Sequence, residues 1–435
     1  MSPELIGFLG ILVFLLLIFL KVPIAIAMMT VGFAGFGVIR SFDAALSIIG
    51  SDMYGAFASY SLSVIPMFIW MGFIAYYSGV GTNLYSFTYK MIGHKKGGLA
   101  MATQLACAIF GAICGSNTAT AATMGAIALP EMRKYHYDDS LSSASVAAGG
   151  ALGVLIPPSV IFIVYGIQTE QSIRKLFIAG IVPGILLMLL YILTIWLIVK
   201  KNPSLGPASG KFSWRERLTG LQNGLVEVIF VFIISLGGLF LGYFTPTEAG
   251  AVGVASLLLI TLLRRHIKWE GFKLSLLATV KTTAMIMLLV GGAIIFGRFI
   301  AVSRLPFTLA TWASSLPLPP FAILAIILLI SLILGCVIDA LALILLTIPI
   351  FFPVAVDVLG YDPIWFGVII VLVVALGVIT PPVGMNVFII KGVVKDLAVE
   401  TIFKGVWPFV VALLVCITIL ILFPGLVTFL PNLVH

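Results

Sequence analysis

Four short stretches interrupt an otherwise apolar chain with groups able to handle ions: Gly115-Ser116-Asn117-Thr118, Ile156-Pro157-Pro158-Ser159, Gly335-Cys336-Val337-Ile338-Asp339 and Thr380-Pro381-Pro382-Val383-Gly384-Met385-Asn386. Proline lacks a backbone donor and clashes with the preceding turn, so a Pro-Pro pair unwinds a helix and frees carbonyls. Those carbonyls, with nearby hydroxyls, are hard oxygen ligands suited to a small cation such as Na⁺. Where a helix restarts, its N-terminus points partial positive charge at an anion. One tip and one broken helix per half of the chain would give two cation sites flanking an anion site. A single Pro-Pro pair is more often a kink than a site. Two matched pairs, each preceded by a matched Gly-containing break, favour a site.

Single residues sharpen the picture. Asp339 lies deep in apolar sequence, where an acid costs about 2.5–3.5 kcal/mol on insertion scales. It is expected either at a cation or coupling site or as the cap of the helix that follows. Glu248 follows Thr245-Pro246-Thr247, a helix-start pattern that points to capping or an interdomain contact. Arg298 and Arg304 are candidates for contact with an anionic cargo or an acidic partner, or for snorkelling at an interface. The four cysteines lie in apolar runs without metal-ligand spacing, and the four histidines form no cluster in the sequence.

These groups need elements to hold them, and the composition says which. Of 435 residues 61% are hydrophobic and 9% charged, against about 25% charged in a soluble domain. The solvent is therefore lipid. Spans of about 20 apolar residues are expected near 5–20, 23–39, 62–78, 140–167, 175–199, 225–241, 247–263, 282–300, 362–390 and 403–430. The first has an acidic flank, Glu4, and no Lys or Arg, unlike a cleaved leader. Residues 99–130 and 321–353 each contain a break and read as re-entrant helical hairpins, which survive in lipid only when shielded or lining a wet cavity.

With the N-terminus outside, 19 of the 24 Lys and Arg fall on inner loops and five (Arg40, Arg174, Lys175, Arg298, Arg304) on outer ones, as the positive-inside rule requires. Ala151-Leu152-Gly153-Val154-Leu155-Ile156-Pro157-Pro158 recurs as Ala375-Leu376-Gly377-Val378-Ile379-Thr380-Pro381-Pro382, identical at six of eight positions. Gly115 matches Gly335 and Pro23 matches Pro246 at nearly the same offset. Five crossings per half make the second copy face the opposite way, so the fold class is an all-α polytopic membrane protein of two inverted-topology repeats. The expected division is residues 1–200, a cytoplasmic linker at 201–220, and 221–435, with both termini periplasmic. In this plan cargo sites lie near the midplane, where helices are discontinuous.

No P-loop, H-E-x-x-H or G-x-S-x-G pattern is present, so the energy for transport is expected from an ion gradient or another subunit. Three alternatives stay open at this point: a standalone sodium/anion symporter, a passive channel and an intramembrane enzyme.

The run Gly115-Ser116-Asn117-Thr118-Ala119-Thr120-Ala121-Ala122-Thr123-Met124-Gly125, then Leu152 to Ser159, Thr245-Pro246-Thr247-Glu248-Ala249, Pro349-Ile350-Phe351-Phe352-Pro353 and Thr380 to Asn386 together resemble the large, DctM-like membrane subunit of TRAP (tripartite ATP-independent periplasmic) transporters. The family usually has a small residue at the place of Asn117 and Asp-Pro at the place of Asp339-Ala340. The resemblance implies an elevator-type carrier in a bacterial inner membrane, not an enzyme. It implies Na⁺-coupled uptake of a small organic anion such as a C4-dicarboxylate or sialic acid. It also implies two partners: a small four-helix membrane subunit and a periplasmic substrate-binding protein. Carried onto this chain, it implies that Ser116, Asn117, Thr118, Ser159, Gly335, Asp339, Thr380, Gly384 and Asn386 line the ion and substrate sites. Na⁺ is expected at Ser116, Asn117, Gly335, Asp339, Thr380 and Gly384.

Overall fold

Each break in the apolar pattern becomes a helix end. The computed structural model describes residues 1–210, 212–213, 215–217 and 226–434. Lys211, linker positions 214 and 218–220, positions 221–225 and His435 lie outside the described residues. Among the described residues every regular element is helical.

The first half runs α1 (Pro3–Phe19), α2 (Ile24–Ile39), α3 (Phe42–Phe57), α4 (Val64–Tyr77) and α5 (Val80–Ile92). The first hairpin follows, α6 (Gly98–Cys114) and α7 (Asn117–Lys134), then the broken helix α8 (Asp139–Ala151) and α9 (Val160–Gln168), and α10 (Ile173–Lys201). The second half opens with α11 (Val226–Phe232, continued by a π turn, Ile233–Gly237), then α12 (Pro246–Leu263), α13 (Trp269–Val302) and α14 (Leu305–Ser315). Its hairpin is α15 (Pro320–Gly335) and α16 (Ala340–Phe352), and its broken helix is α17 (Pro363–Gly377) and α18 (Met385–Val393). α19 (Val399–Leu422) and α20 (Gly425–Asn432) close the chain. The order short helix, hairpin, broken helix thus occurs once per half, and both Pro-Pro bonds are cis.

Local sequence sets many of these ends. At the start of α12 Thr245 Oγ1 accepts from Glu248 N at 3.3 Å while Glu248 Oε2 accepts from Thr245 N at 2.8 Å. This reciprocal capping box satisfies two otherwise free donors, and capping is the role expected of Glu248. Among the described residues six helices are long and apolar enough to cross a membrane unaided; others are shortened by the breaks. The span expected at 403–430 stops at Leu422, because Pro424 cannot continue it. The span expected from 282 begins at Trp269, since Lys273 and Lys281 interrupt the apolar run without interrupting the helix.

The helices pack as two groups. In one, α2 lies on α13 and α4 lies on both α12 and α13. The α2–α13 crossing is close: a Cβ on Gly32 would sit 2.9 Å from the Phe296 nitrogen, and one on Gly292 2.7 Å from the Ala25 carbonyl oxygen. In the other group both hairpins and both broken helices pack together, α7 and α19 on α8, α18 on α7, α16 on α9 and α15 on α17. The two groups meet where α4 touches α6 and α13 touches α16.

Candidate functional site

Hairpin one turns on two residues. Gly115 ends α6 in the left-handed region at φ +61°, and a Cβ there would collide with the carbonyl oxygen of Pro158. Ser116 caps α7, its Oγ accepting from Ala119 N at 3.3 Å. Tip and break one are also joined through Val160 N, which donates to the Gly115 carbonyl at 3.4 Å. Behind them Gly153 comes so close that a Cβ would lie 2.7 Å from the Ser116 carbonyl oxygen. In break one, fully buried Ser159 caps α9: its Oγ donates to Val154 O and accepts from Phe162 N at 3.4 Å. Pro157 and Pro158 are buried beside it.

The second copy repeats the plan with other side chains. Gly335 ends α15 against Gly377, where a Cβ on Gly377 would lie 2.8 Å from the Gly335 carbonyl oxygen. Asp339 caps α16 with Oδ1 accepting from Leu341 N at 3.0 Å. In break two Thr380 Oγ1 donates to Leu376 O at 2.6 Å, and Gly384, at φ +57°, redirects the chain into α18.

The copies meet through a pair of amides. Asn117 Nδ2 donates to Asn386 Oδ1 at 3.3 Å, and Asn386 Nδ2 donates to Ala147 O at 3.0 Å. Both asparagines are buried, and 269 positions separate them in sequence.

Both tips face one cavity of about 540 Å³. Its polar wall is Ser116, Asn117, Thr118 and Thr123 from hairpin one and Asp339 from hairpin two. The opposite wall belongs to the other helix group: Phe73, Tyr76 and Tyr77 of α4, with Thr282, Met285 and Ile286 of α13. Among the described residues no Lys, Arg or His lines it, and Asp339 is its one Asp or Glu. What the cavity offers an anion is therefore hydroxyls and the first N–H groups of α7, the start of α16 being capped by Asp339.

Of the expected site residues, Ser116, Asn117, Thr118 and Asp339 line the cavity. Ser159 lies next to Val160, which does, and Asn386 reaches it through Asn117. Pro157, Pro158, Gly335, Thr380, Pro381, Pro382 and Gly384 stand behind the tips rather than on its wall. Their carbonyls and the Thr380 hydroxyl are hard neutral oxygens of the kind a Na⁺ ion takes. Among the described residues no three His, Cys, Asp or Glu side chains gather as a metal site. Arg298 and Arg304 are elsewhere: Arg298 Nε pairs with Asp52 Oδ2 at 3.0 Å, and Arg304 precedes α14 with φ +57°. Neither lines the cavity.

Sequence reasoning misses the α4 and α13 wall, which no local pattern marks. It also misses Thr123. The sequence signal for that residue is spacing, because Thr118, Ala119, Ala122 and Thr123 fall on one face of α7 and all four line the cavity.

Paired hairpins and broken helices, related between halves and turned to one central cavity, define an inverted-repeat secondary transporter of the elevator-type fold. A transporter of Alcanivorax borkumensis, YdaH, shares this fold at a TM-score of 0.62 and 14% identity, over 88% of this chain and 90% of its own. The family model of the tripartite ATP-independent periplasmic transporter DctM component matches residues 11–426, and the chain belongs to that family. It is 37% identical to a C4-dicarboxylate TRAP transporter large permease protein of Pseudomonas aeruginosa over 86% of each chain. It is 32% identical to a sialic acid TRAP transporter large permease protein of Vibrio cholerae over 96% of each. Relatives of this family are transporter permeases, not enzymes.

Proposed function

We propose that this chain is the large permease of a Na⁺-coupled, three-part carrier that brings a small organic anion, a carboxylate, across a bacterial inner membrane. A periplasmic binding protein delivers the cargo, and a small four-helix membrane subunit completes the membrane part. The observation that carries the reading is the shared cavity, with the N-termini of α7 and α16 at one wall and the α4–α13 group at the other. The groups that would touch cargo lie on one helix group and the wall that shields it lies on the other. This division suits an elevator, in which the hairpin group slides as a body along the α4–α13 group.

Ser116 and Asn117 at tip one, and Gly335, Thr380 and Gly384 at tip and break two, are the proposed Na⁺ ligands, with Asp339 beside the second set. Bound Na⁺ would supply positive charge where the chain has no basic side chain, and would favour the loaded state by its differential affinity for it. The Lys and Arg distribution supports periplasmic N- and C-termini. On that sidedness a cavity lined by Tyr76, Tyr77 and Thr282 would lie toward the cytoplasmic ends of α4 and α13. The chain, its two partners and an inward Na⁺ gradient should together drive uptake of the binding protein's own ligand into proteoliposomes. Replacing Na⁺ by choline should stop it. Undiminished uptake in Na⁺-free buffer would remove Na⁺ from the account.

A further inference from the structure

The two tips share a plan, a glycine stop followed by a capped restart, and differ in the charge of the cap. At α7 the cap is a neutral hydroxyl, Ser116, flanked by Asn117 and Thr118. At α16 the cap is a carboxylate that already occupies the helix N-terminus, with Asp339 Oδ1 on Leu341 N. A helix N-terminus attracts one anion, and at α16 the chain supplies its own. Both Ser116 and Asp339 line the same cavity, which among the described residues holds no basic side chain.

A second feature lies on the hairpin-one wall. Among the described residues, Thr88, Thr103, Thr120, Thr169, Thr261, Thr279 and Thr347 are buried and donate to a carbonyl of their own helix or cap. Thr123 is as buried, at 4% exposed, and its hydroxyl has no partner. Its methyl is turned to α5, where a Cβ on Gly81 would lie 3.1 Å from it. Away from water an unpaired hydroxyl is costly. Thr123 lines the cavity about two turns along α7 from the tip; its oxygen is shut from water, and a rotation toward cargo lying along that face would satisfy it.

We propose that the cavity grips its cargo by a single anionic group, held at the N-terminus of α7, and that Asp339 closes the matching position at α16 to a second. The rest of the cargo lies along Thr118–Thr123 against the aromatic and aliphatic wall of α4 and α13, which selects little. This inference rests on the carrier reading above and specifies how its site treats charge. A carboxylate at one end is what the site reads; a second carboxylate gains nothing there.

Butyrate and succinate test this, being four-carbon acids that differ by one carboxylate. Their binding to the full chain in lipid nanodiscs is titrated by calorimetry, in NaCl and in choline chloride. The wild-type protein should bind succinate no more than about threefold tighter than butyrate. Asp339→Asn and Asp339→Ser both retain a capping side chain and remove the charge. Each should raise the affinity for succinate relative to butyrate about tenfold, the scale of one relieved like-charge contact. An unchanged ratio in both variants would overturn the proposal. So would equal weakening of both acids together with loss of Na⁺ dependence, which would make Asp339 a cation ligand. Failure of wild-type protein to bind either acid in NaCl would also overturn the proposal, while the carrier reading stands or falls by the uptake experiment above.

Discussion

Hairpin one and hairpin two follow the same backbone plan in different surroundings. α6 is buried along nearly its whole length, and break one is sealed, with Pro157, Pro158 and Ser159 all buried. α10 presses two glycines onto that break, a Cβ on Gly184 meeting Ile156 Cγ1 at 2.6 Å and one on Gly180 meeting Leu155 O at 2.5 Å. In hairpin two α16 is as buried, but α15 is a surface helix with Phe321, Leu329 and Ile333 pointing outward, and in break two Pro382 is exposed. Its tip takes four residues where tip one takes two. Duplication has preserved where helices stop. Each stop has a cap and a close glycine, Ser116 with Gly153 at tip one and Asp339 with Gly377 at tip two, and tip one is also held by the backbone of Pro158 and Val160.

The matched tip glycines give the sharpest way to break this comparison. Gly115→Ala forces a side chain into the left-handed region and onto the Pro158 carbonyl. Neither the turn nor the carbonyl has room to move, so about 3 kcal/mol or more of stability should be lost, and Na⁺-driven uptake with it. Gly335→Ala meets the end of a leucine, Leu343 Cδ2 at 3.0 Å, and the Gly377 Cα at an ordinary 3.6 Å, with an ordinary backbone angle. It should cost under about 1 kcal/mol and leave most uptake. Unfolding of the purified variants and uptake by the reconstituted carrier measure both. Equal damage at the two positions would contradict the asymmetry.

How far the sequence discloses this follows from the same physics. Helix breakers act locally, so Gly115, Pro157-Pro158, Gly335 and Pro381-Pro382 announce the hairpins and broken helices, and their regular offset announces the repeat. Caps are equally local, as at Glu248. Amphipathic helices are not announced by apolar length: α3 carries Asp43, Ser47, Ser51 and Asp52, and α5 carries Thr82, Asn83, Ser86 and Lys90, so neither reads as a span. Which oxygen faces the cavity and which stands behind it depends on how distant helices stack. Thr380 and Gly384 therefore read like Ser116 in the sequence and sit apart from the cavity wall in the fold. Arg298 similarly reads as a free charge until α3 brings it Asp52.

A smaller effect is expected where the copies join. Asn386→Ala strands the buried Asn117 Nδ2 and takes the side-chain donor from the Ala147 carbonyl, and should cost about 1–3 kcal/mol. Asn117→Ala strands Asn386 Oδ1 and should cost about 1–2 kcal/mol. The double variant should be less destabilised than the sum by about 1 kcal/mol, since both changes remove the same amide contact. Strict additivity in unfolding free energies would mean that the amides do not couple the repeats.

The smallest effect should come from Arg298. Its side chain is 61% exposed while its partner Asp52 is 15% exposed, and a pair of this kind is worth about 0–1 kcal/mol. The pair ties α3 to α13, both in the helix group that forms the far wall, and lies away from the cavity. Arg298→Ala and Asp52→Ala should therefore shift unfolding by similar small amounts, more at low salt than at high, and leave the apparent affinity for cargo unchanged. A tenfold loss of uptake in Arg298→Ala alone, with Asp52→Ala intact, would show the guanidinium acting on cargo or on a docked partner. The charge reading of the cavity would then need a cation supplied from outside its walls.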